Sequence, residues 1–331
     1  MAQEHFQALM LREEGKATKA QLEALTFADL PDNDTLVEVD YSTLNYKDAL
    51  ALTGKGKIVR TWPMVPGIDF AGTVVESRNP AYTSGTKVVL TGWSVGEKYW
   101  GGYSRFQRVK SEWLVPLPNG FTTRQAMMVG TAGFTGMLCV LALERAGVTP
   151  SSGPILVTGA AGGVGSVAVA VLSRLGYNVS ALTGDPTKEA YVKELGASAV
   201  VNGPEWAESA RPLESQKWAG AIDTVGSKVL ARVLAEMDYN GVVAACGLAG
   251  GADLPTTVMP FILRAVKLVG VDSVMLPSKD RIPAWERLVK DLPGDVLEKI
   301  TSRVVPLSEA LQAAEDMLAG NLQGRVLVSV N

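Results

Sequence analysis

The sequence predicts an α/β protein in which a doubly wound parallel sheet fills the middle of the chain, with β-rich sequence at both ends. Three observations predict it. From about residue 122 to about residue 280, short apolar runs alternate with helical segments, as in parallel βαβ units. A glycine-rich turn, ILVTGAAGGVG at 155–165, joins one such run to a helix. The first third and the final residues carry short β-rich runs, separated in the first third by turn residues.

Each element has its own signal. Residues 36–41 (LVEVDY) alternate apolar and polar, as a half-buried strand does. Residues 70–76 and 87–91 are further β-rich runs, set apart by Asn79-Pro80 and Ser84-Gly85, which together suggest a small barrel or sandwich. Residues 114–120 read as a strand leaving that unit. Thr122 and Thr123 start a helix through Met128, and 135–145 reads as a second. Residues 154–158 form an apolar run suited to a strand buried on both faces, and a helix over 164–175 follows the glycines. A strand at 178–183, a helix at 188–195 and strands at 219–223, 241–245 and 268–271 continue the alternation. Amphipathic helices around 285–291 and 307–318 precede a last strand, 325–330.

Composition bounds the function. The 331 residues suggest about two domains. A 47% hydrophobic and 20% charged chain is globular rather than disordered. With 31 basic and 34 acidic side chains the net charge is −3, so no global basic field draws nucleic acid or anionic lipid. Two cysteines, Cys139 and Cys246, exclude a disulfide framework and fit a reducing cytosol. His5 is the one histidine, so a His-based dyad is out unless it reaches in from the N-terminus. Cysteine and histidine together are too few for an ordinary zinc site. The N-terminus carries charge within five residues and lacks a long apolar core, which makes it a poor signal peptide. The uncharged stretch between Arg145 and Arg174 is broken by Pro150, Pro154 and glycines and is not read as a membrane span.

Gly159, Gly162 and Gly165 are spaced G-x-x-G-x-x-G, a variant of the commoner G-x-G-x-x-G. A strand before and a helix after make this a dinucleotide-binding turn. Glycine allows a tight turn and close approach of a pyrophosphate, and the amides of Ala161, Gly162, Gly163 and Val164 lie where the helix N-terminus meets phosphate. The alternative is a strand–helix turn without a ligand. About twenty residues further on, an acidic residue commonly receives the adenosine ribose hydroxyls. Asp185, after Thr183-Gly184, has that spacing, which favours NAD because a carboxylate repels a 2′-phosphate. If Asp185 turns outward, Thr183 and Lys188 are placed to bind that phosphate instead. A third possibility is that Asp185 is only a solvated loop carboxylate.

Several segments carry a family resemblance when taken in order. They are STLNYKDAL (42–50), PGIDFAGT (66–73), KVVLTGW (87–93), GTAGFT (130–135), GAAGGVG (159–165), AIDTVG (221–226), CGLAGG (246–251), MPFIL (259–263) and Gly324-Arg325. Over essentially the whole chain the sequence resembles the zinc-free acryloyl-CoA reductase branch, also called quinone oxidoreductases, of the medium-chain dehydrogenase/reductase superfamily. The resemblance implies a GroES-like catalytic domain from 1–125 plus 280–331 and an inserted Rossmann nucleotide-binding domain at 126–279. It also implies a homodimer. Zinc-dependent relatives carry G-H-E where this chain has Gly67-Ile68-Asp69, and isoleucine cannot ligate a metal. Relatives that use NADPH carry Ser/Thr-Gly-Arg after the second strand, where this chain has Thr183-Gly184-Asp185; a second expected arginine falls at about Gly203. The expected cofactor is NADP(H), with NAD(H) as the alternative, because Lys188 follows closely enough to compensate.

The resemblance also implies site residues. Its NYKD segment faces the nicotinamide. Tyr46 is the proton-donor candidate, since a phenol with an ordinary pKa of about 10 is protonated at neutral pH. Otherwise Tyr46 contacts the cofactor while solvent donates the proton, or it merely packs. Asn45 would orient the nicotinamide ribose or the substrate oxygen. Arg325 would contact the acyl-CoA, order the cofactor or serve the fold alone. Leu248, Ile262 and Ser273 complete the expected cofactor contacts. The loop GKGKIVR places Lys55, Lys57 and Arg60 either on CoA phosphates or simply in solvent. Trp93 and Trp100 read as core or cleft-wall residues, and Cys139 as buried and inert.

Hydride transfer needs neither metal nor histidine, because the cofactor carries the reactive atom and the protein aligns it and stabilises the anion formed. The expected reaction is reduction of the C=C bond of acryloyl-CoA or a related small 2-enoyl thioester, with hydride to Cβ and a proton to Cα. Reduction of quinones or other activated alkenes is the first alternative. A non-catalytic dinucleotide-binding protein is the second. Neither nucleic acid nor membrane is expected as a partner.

Overall fold

Residues 5–15 and 17–330 are described by the computed structural model. The chain divides into unit 1, Met1–Thr131, Ser273–Val289 and Thr301–Asn331, and unit 2, Ala132–Asp272 and Lys290–Ile300.

Unit 1 begins with an antiparallel hairpin of β1 (Phe6–Glu14) and β2 (Ala17–Leu25). Then come β3 (Thr35–Leu44), α1 (Tyr46–Thr53), β4 (Asp69–Ser77), β5 (Lys87–Thr91), β6 (Phe106–Val109) and β7 (Val115–Pro116). Helix α2 (Thr123–Arg145) leads into unit 2, which holds β8 (Ile155–Thr158), α3 (Gly163–Arg174), β9 (Val179–Leu182), α4 (Glu189–Glu194), β10 (Ala199–Val201), β11 (Trp218–Asp223), α5 (Ser227–Glu236), β12 (Met237–Ala245), α6 (Met259–Arg264) and β13 (Lys267–Gly270). The chain ends with α7 (Ser278–Asp291), α8 (Gly294–Ile300), β14 (Thr301–Pro306), α9 (Ala310–Leu318) and β15 (Arg325–Ser329).

The larger sheet of unit 1 runs β14-β15-β3-β4-β5-β7, with β6 also on β3. β3 follows its predicted alternation: Val37 and Val39 are buried while Glu38 and Asp40 are only half-buried. It pairs antiparallel with both β4 (Ser42↔Phe70) and β15 (Leu44↔Val326), so the end of β3 meets the starts of β4 and β15. That register places Thr43, Asp69 and Arg325 together.

In unit 2 the six parallel strands run β10-β9-β8-β11-β12-β13. Every residue of β8 and β9 is buried, as expected for parallel strands covered on both faces. The chain winds outward from β8 in one direction through β9 and β10, then returns to β11 and winds the other way. Ligands of such sheets bind outside the carboxyl ends of the strands at this reversal.

Some readings change. The β1–β2 hairpin was not evident, because β2 carries Thr, Lys, Gln and Glu on a partly exposed strand and its alternation is weak. The strand expected over 114–120 shrinks to Val115–Pro116, since Pro116 and Pro118 lack the amide a ladder needs. The two helices expected at 122–128 and 135–145 are both present, as the two arms of α2, and they meet at a non-helical kink at Gly130 (φ 55°, ψ −162°). By length and composition α2 is apolar enough to span a bilayer, but 78% of its apolar window is buried inside the molecule, as in a core helix. Residues 290–300, placed by sequence with the catalytic domain, belong to unit 2. There Leu297 and Ile300 are fully buried, α8 packs on α3, and Lys299 lies 3.3 Å from Glu194.

Candidate active site

In unit 1 a buried polar network forms where β3, β4 and β15 converge. Thr43 Oγ1 donates to Asp69 Oδ1 at 2.7 Å and accepts from Arg325 Nη2 at 2.8 Å. Asn45 Nδ2 donates to Asp69 Oδ2 and Asp48 Oδ2, each at 3.0 Å, and Asn45 Oδ1 accepts from Arg325 Nη1 at 3.2 Å. The helix interruption at Gly130 turns the Thr131 amide onto Asp69 Oδ2 at 2.7 Å. A Cβ at Gly130 would collide with Arg325 Nη2, so only glycine permits this approach. Tyr103 Oη donates to the Thr43 carbonyl at 3.1 Å, and burial pushes its phenol well above the usual range.

Asn45 caps α1 and Tyr46 is its first residue. Asp48 accepts from the Asn45 amide at 2.9 Å, the reciprocal half of a capping box, and from the Ile68 amide at 3.0 Å. Burial, reinforced by the neighbouring Asp69 charge, pushes the Asp48 carboxyl up to about 7. Tyr46 is 47% exposed, and its hydroxyl has no hydrogen-bond partner among the described residues. It therefore faces outward while its helix is anchored on a buried charged floor.

One expectation is corrected here and another is narrowed. Asn45 is 7% exposed and its amide is committed to Asp48, Asp69, Thr43 and Arg325, so it holds the floor rather than a ribose or a substrate oxygen. Arg325 is 2% exposed and its guanidinium is bonded to Thr43 and Asn45, which favours, of its three open roles, the one of serving the fold. Thr43, Asp48, Tyr103 and Thr131 were not singled out by sequence, and Asp69 was named only at the position of the zinc relatives' G-H-E motif, without a role. The available signals were the N-x-x-D capping spacing for Asp48 and, for Asp69, a carboxylate inside the apolar run GIDFAG.

In unit 2 the glycine turn follows β8. Gly159 has φ 57°, and a Cβ there would collide with Thr224 Oγ1. A Cβ at Gly165 would collide with the Gly159 carbonyl, so this glycine lets α3 approach the strand. Gly162 is exposed and precedes α3. The first bond of the helix ladder runs from Ser166 N to Gly162 O at 2.9 Å, leaving the amides of Gly163 and Val164 at the helix entrance, where phosphate binds. Ala161 is buried at 6%, so only its backbone can take part. At the sheet reversal, Thr158 Oγ1 donates to Asp223 Oδ1 at 2.7 Å and the Gly226 amide donates to Asp223 Oδ2 at 2.8 Å. Burial pushes the Asp223 carboxyl above its usual range. These bonds fix the β11 side of the crevice. The turn and crevice fit a dinucleotide.

The loop after β9 settles how Asp185 is oriented. Its Oδ1 accepts from the Thr187 amide at 2.9 Å and from Thr187 Oγ1 at 2.6 Å, while Lys188 Nζ lies 3.6 Å from Oδ2. Thr187 holds the carboxyl below its usual range, so it is charged and turned into its own loop. Thr183 is only 4% exposed, and its hydroxyl bonds within the turn to the backbone of Asp185. It is therefore not presented to a phosphate as expected. Gly184 is exposed and Lys188 half-buried.

Leu248 and Ile262 are 65% and 71% exposed and available for contact. Ser273 is 9% exposed and belongs to unit 1, where its carbonyl accepts from Arg281 Nη2 at 3.1 Å. Trp93 packs under the Arg281 guanidinium, 5.0 Å from its ring, and Trp100 donates to the Pro63 carbonyl. Cys139 is fully buried against the Cys246 thiol, which with burial raises its pKa well above the usual range.

Residues 31–119 match the family described as alcohol dehydrogenase GroES-like domain, and residues 163–290 match that described as zinc-binding dehydrogenase. The chain is 58% identical over 326 residues to the "Probable acrylyl-CoA reductase AcuI" of Escherichia coli (strain K12), covering 98% of this chain and all of that one. It is 55% identical over 329 residues to the acrylyl-CoA reductase AcuI of Ruegeria pomeroyi, covering 98% and 99%. The crystal structure of the yhdH oxidoreductase from Salmonella enterica in complex with NADP matches with a TM-score of 0.96 at 55% identity, covering 98% of this chain and 100% of that one. Bacillus subtilis protein yhfP with NAD bound matches at 0.95 and 43% identity, covering 98% and 99%. The chain belongs to the medium-chain dehydrogenase/reductase family of oxidoreductases, with a GroES-like domain and a Rossmann sheet. Within that family it falls in the branch of the AcuI acrylyl-CoA reductases and YhfP.

One of the matched descriptions names zinc. The residues at Gly67-Ile68-Asp69 do not fit it. Ile68 offers no donor, the Asp69 oxygens are taken by Thr43, Asn45 and the Thr131 amide, and a guanidinium rather than a ligand stands beside them. Among the described residues no group of three or more His, Cys, Asp or Glu side chains gathers as metal ligands do.

Proposed function

We propose that this chain reduces the C=C bond of acryloyl-CoA, or of a closely related small 2-enoyl thioester, at the expense of NADPH. The observation that carries this reading is Tyr46: a phenol facing outward at the first residue of α1, whose capping residue is anchored by Asp48, Asp69 and Arg325. A metal-dependent alcohol dehydrogenase needs a Lewis acid at that floor. An enoyl thioester needs only that charge on its thioester oxygen be tolerated and that Cα receive a proton. The reduced nicotinamide, when bound, supplies the hydride for Cβ. Tyr46 Oη then delivers the proton to Cα. Asn45 and Arg325 do not touch the reacting atoms; they fix the helix start from which Tyr46 projects. The amides of Gly163 and Val164 would hold the pyrophosphate, and Leu248 and Ile262 would offer apolar contact.

Kinetics tests the reading. kcat/KM for acryloyl-CoA is expected to exceed that for a simple quinone. The reverse order would replace it with quinone or activated-alkene reduction, and dinucleotide binding without turnover of either would replace it with a non-catalytic role.

The choice of NADPH over NADH is supported by the NADP-bound relative at 55% identity and by Asp185 being engaged within its own loop beside Lys188. The Lys188 ammonium, 3.6 Å from Asp185 Oδ2, is the cation of that loop that would meet a 2′-phosphate. Lys188→Ala is expected to lower the NADPH-over-NADH ratio of kcat/KM about tenfold, the worth of one charge-assisted hydrogen bond. A wild-type preference for NADH would overturn the choice. A homodimer is also expected, and light scattering at the mass of a single chain would contradict it.

A further inference from the structure

We propose that the face of unit 1 formed by Lys55, Lys57 and Arg60, with Lys98 and Lys47 beside them, binds the adenosine phosphates of a CoA thioester. This deepens the enoyl-thioester reading and rests on it.

The chain is net acidic at −3, so a concentration of cations on one loop is not a consequence of composition. Lys55, Lys57, Arg60 and Lys98 are all exposed, and none forms an ion pair among the described residues. Lys47 is paired with Glu97 at 2.7 Å, so the one carboxylate within the group is already matched. The hairpin tip nearby adds Glu14, paired with Lys19 at 2.9 Å, and Glu13, which lies opposite Thr18. The positive charge at the loop is therefore in surplus.

The loop is also held in place. Gly54 ends α1 in the left-handed conformation at φ 66°, where a Cβ would meet Thr18, and a Cβ at Gly56 would meet Leu50 of α1, so the loop runs close to both. The Arg60 amide donates to the Glu97 carbonyl at 2.8 Å, and Thr61 Oγ1 donates to the Lys98 carbonyl at 2.9 Å. These bonds draw Arg60 and Lys98 together and limit the ordering cost of engaging a ligand.

Distance fits the substrate. α1 begins at Tyr46 and ends where the cationic loop begins. Its eight residues span about 12 Å. The pantetheine arm between a thioester and the CoA diphosphate is about as long as four extended residues, about 14 Å. A thioester at Tyr46 therefore carries its diphosphate and 3′-phosphate to the loop. A quinone or a free enone has nothing to place there.

The experiment compares acryloyl-CoA with S-acryloyl pantetheine, which keeps the reacting group and arm but lacks the phosphates. In the wild type kcat/KM is expected to favour acryloyl-CoA at least tenfold, and added salt should erode that preference. In the Lys55→Ala/Lys57→Ala/Arg60→Ala variant the CoA-over-pantetheine ratio should fall about tenfold, mainly through KM for acryloyl-CoA. The Lys55→Arg/Lys57→Arg variant should retain it. A ratio unchanged by the triple substitution, or an equal loss on both thioesters, overturns the phosphate site and leaves the enoyl-thioester reading standing. Failure of the wild type to reduce either thioester overturns both.

Discussion

The glycine turn of unit 2 lies within residues 159–165 and is shaped by backbone, whereas the network under Tyr46 joins residues up to 282 positions apart and is shaped by side chains. In the turn, each essential glycine is defined by what a Cβ would strike: Thr224 at Gly159, the Gly159 carbonyl at Gly165. In the network, the carboxylates of Asp48 and Asp69 and the side chains of Thr43 and Asn45 are defined by what they must bond, because two carboxylates and a guanidinium lie out of water. The difference teaches that the two regions should fail differently. A change at the open part of the turn should weaken ligand binding and leave the fold intact. A change in the network should destabilise the fold and disturb catalysis together.

The largest effect is expected at the point where the network meets solvent. Tyr46→Phe should lower kcat on acryloyl-CoA by about 10²–10⁴-fold while cofactor affinity, read by fluorescence titration, stays within a few fold. Unchanged turnover would mean that solvent supplies the proton and that the network only supports the fold.

Next comes the network itself. Arg325→Leu removes the donors to Thr43 Oγ1 and Asn45 Oδ1 and the guanidinium beside the buried Asp69, and should cost about 1–3 kcal/mol in urea unfolding. Adding Asp69→Asn should recover part of that loss, because the uncompensated charge is then gone. If Arg325→Leu proves as mild as a surface substitution, the contrast between the two regions collapses.

A smaller, pH-dependent effect sharpens the same point. The folded carboxyl of Asp48 titrates at about 7, above its unfolded value of about 3.9. The folded state therefore holds the proton more tightly than the unfolded chain. Its contribution is fully present below pH ~4 and is lost as pH rises through 7. Asp48→Asn should flatten the decline of Tm across that window. Asp223, also raised by burial, would leave a residual slope of the same sign. A wild-type Tm that rises steadily from pH 4 to 7, unchanged in the variant, would contradict the assignment.

The smallest effect belongs to the turn. Gly162 has φ −81° and is exposed, so the dihedral suits alanine, and its Cβ would meet the Gly159 carbonyl at 3.3 Å, a tight contact that a shift of a few tenths of an ångström relieves. Gly162→Ala should weaken dinucleotide binding about tenfold by crowding the pyrophosphate approach, with Tm nearly unchanged. A large fall in Tm would make this glycine a structural one like Gly165.

By itself, the sequence determined what depends on near neighbours along the chain. The apolar runs of β8 and β9, the glycine turn and the alternation of β3 each carry their cause within a few residues, and so the doubly wound sheet and its dinucleotide turn were readable. The NYKD segment marked Tyr46 through a family resemblance. The tertiary structure alone decided which way polar side chains face. Asn45, read as a ribose or substrate contact, and Arg325, for which a ligand contact and a purely structural role were both open, turn inward because the antiparallel register brings Asn45 onto Asp69 and Arg325 onto Thr43 and Asn45. Asp185, with three orientations open in sequence, is turned by Thr187 and Lys188 into its own loop. Spacing fixes which face of an element a residue occupies, but the partner that satisfies a buried charge comes from elsewhere in the chain, and only folding brings it there.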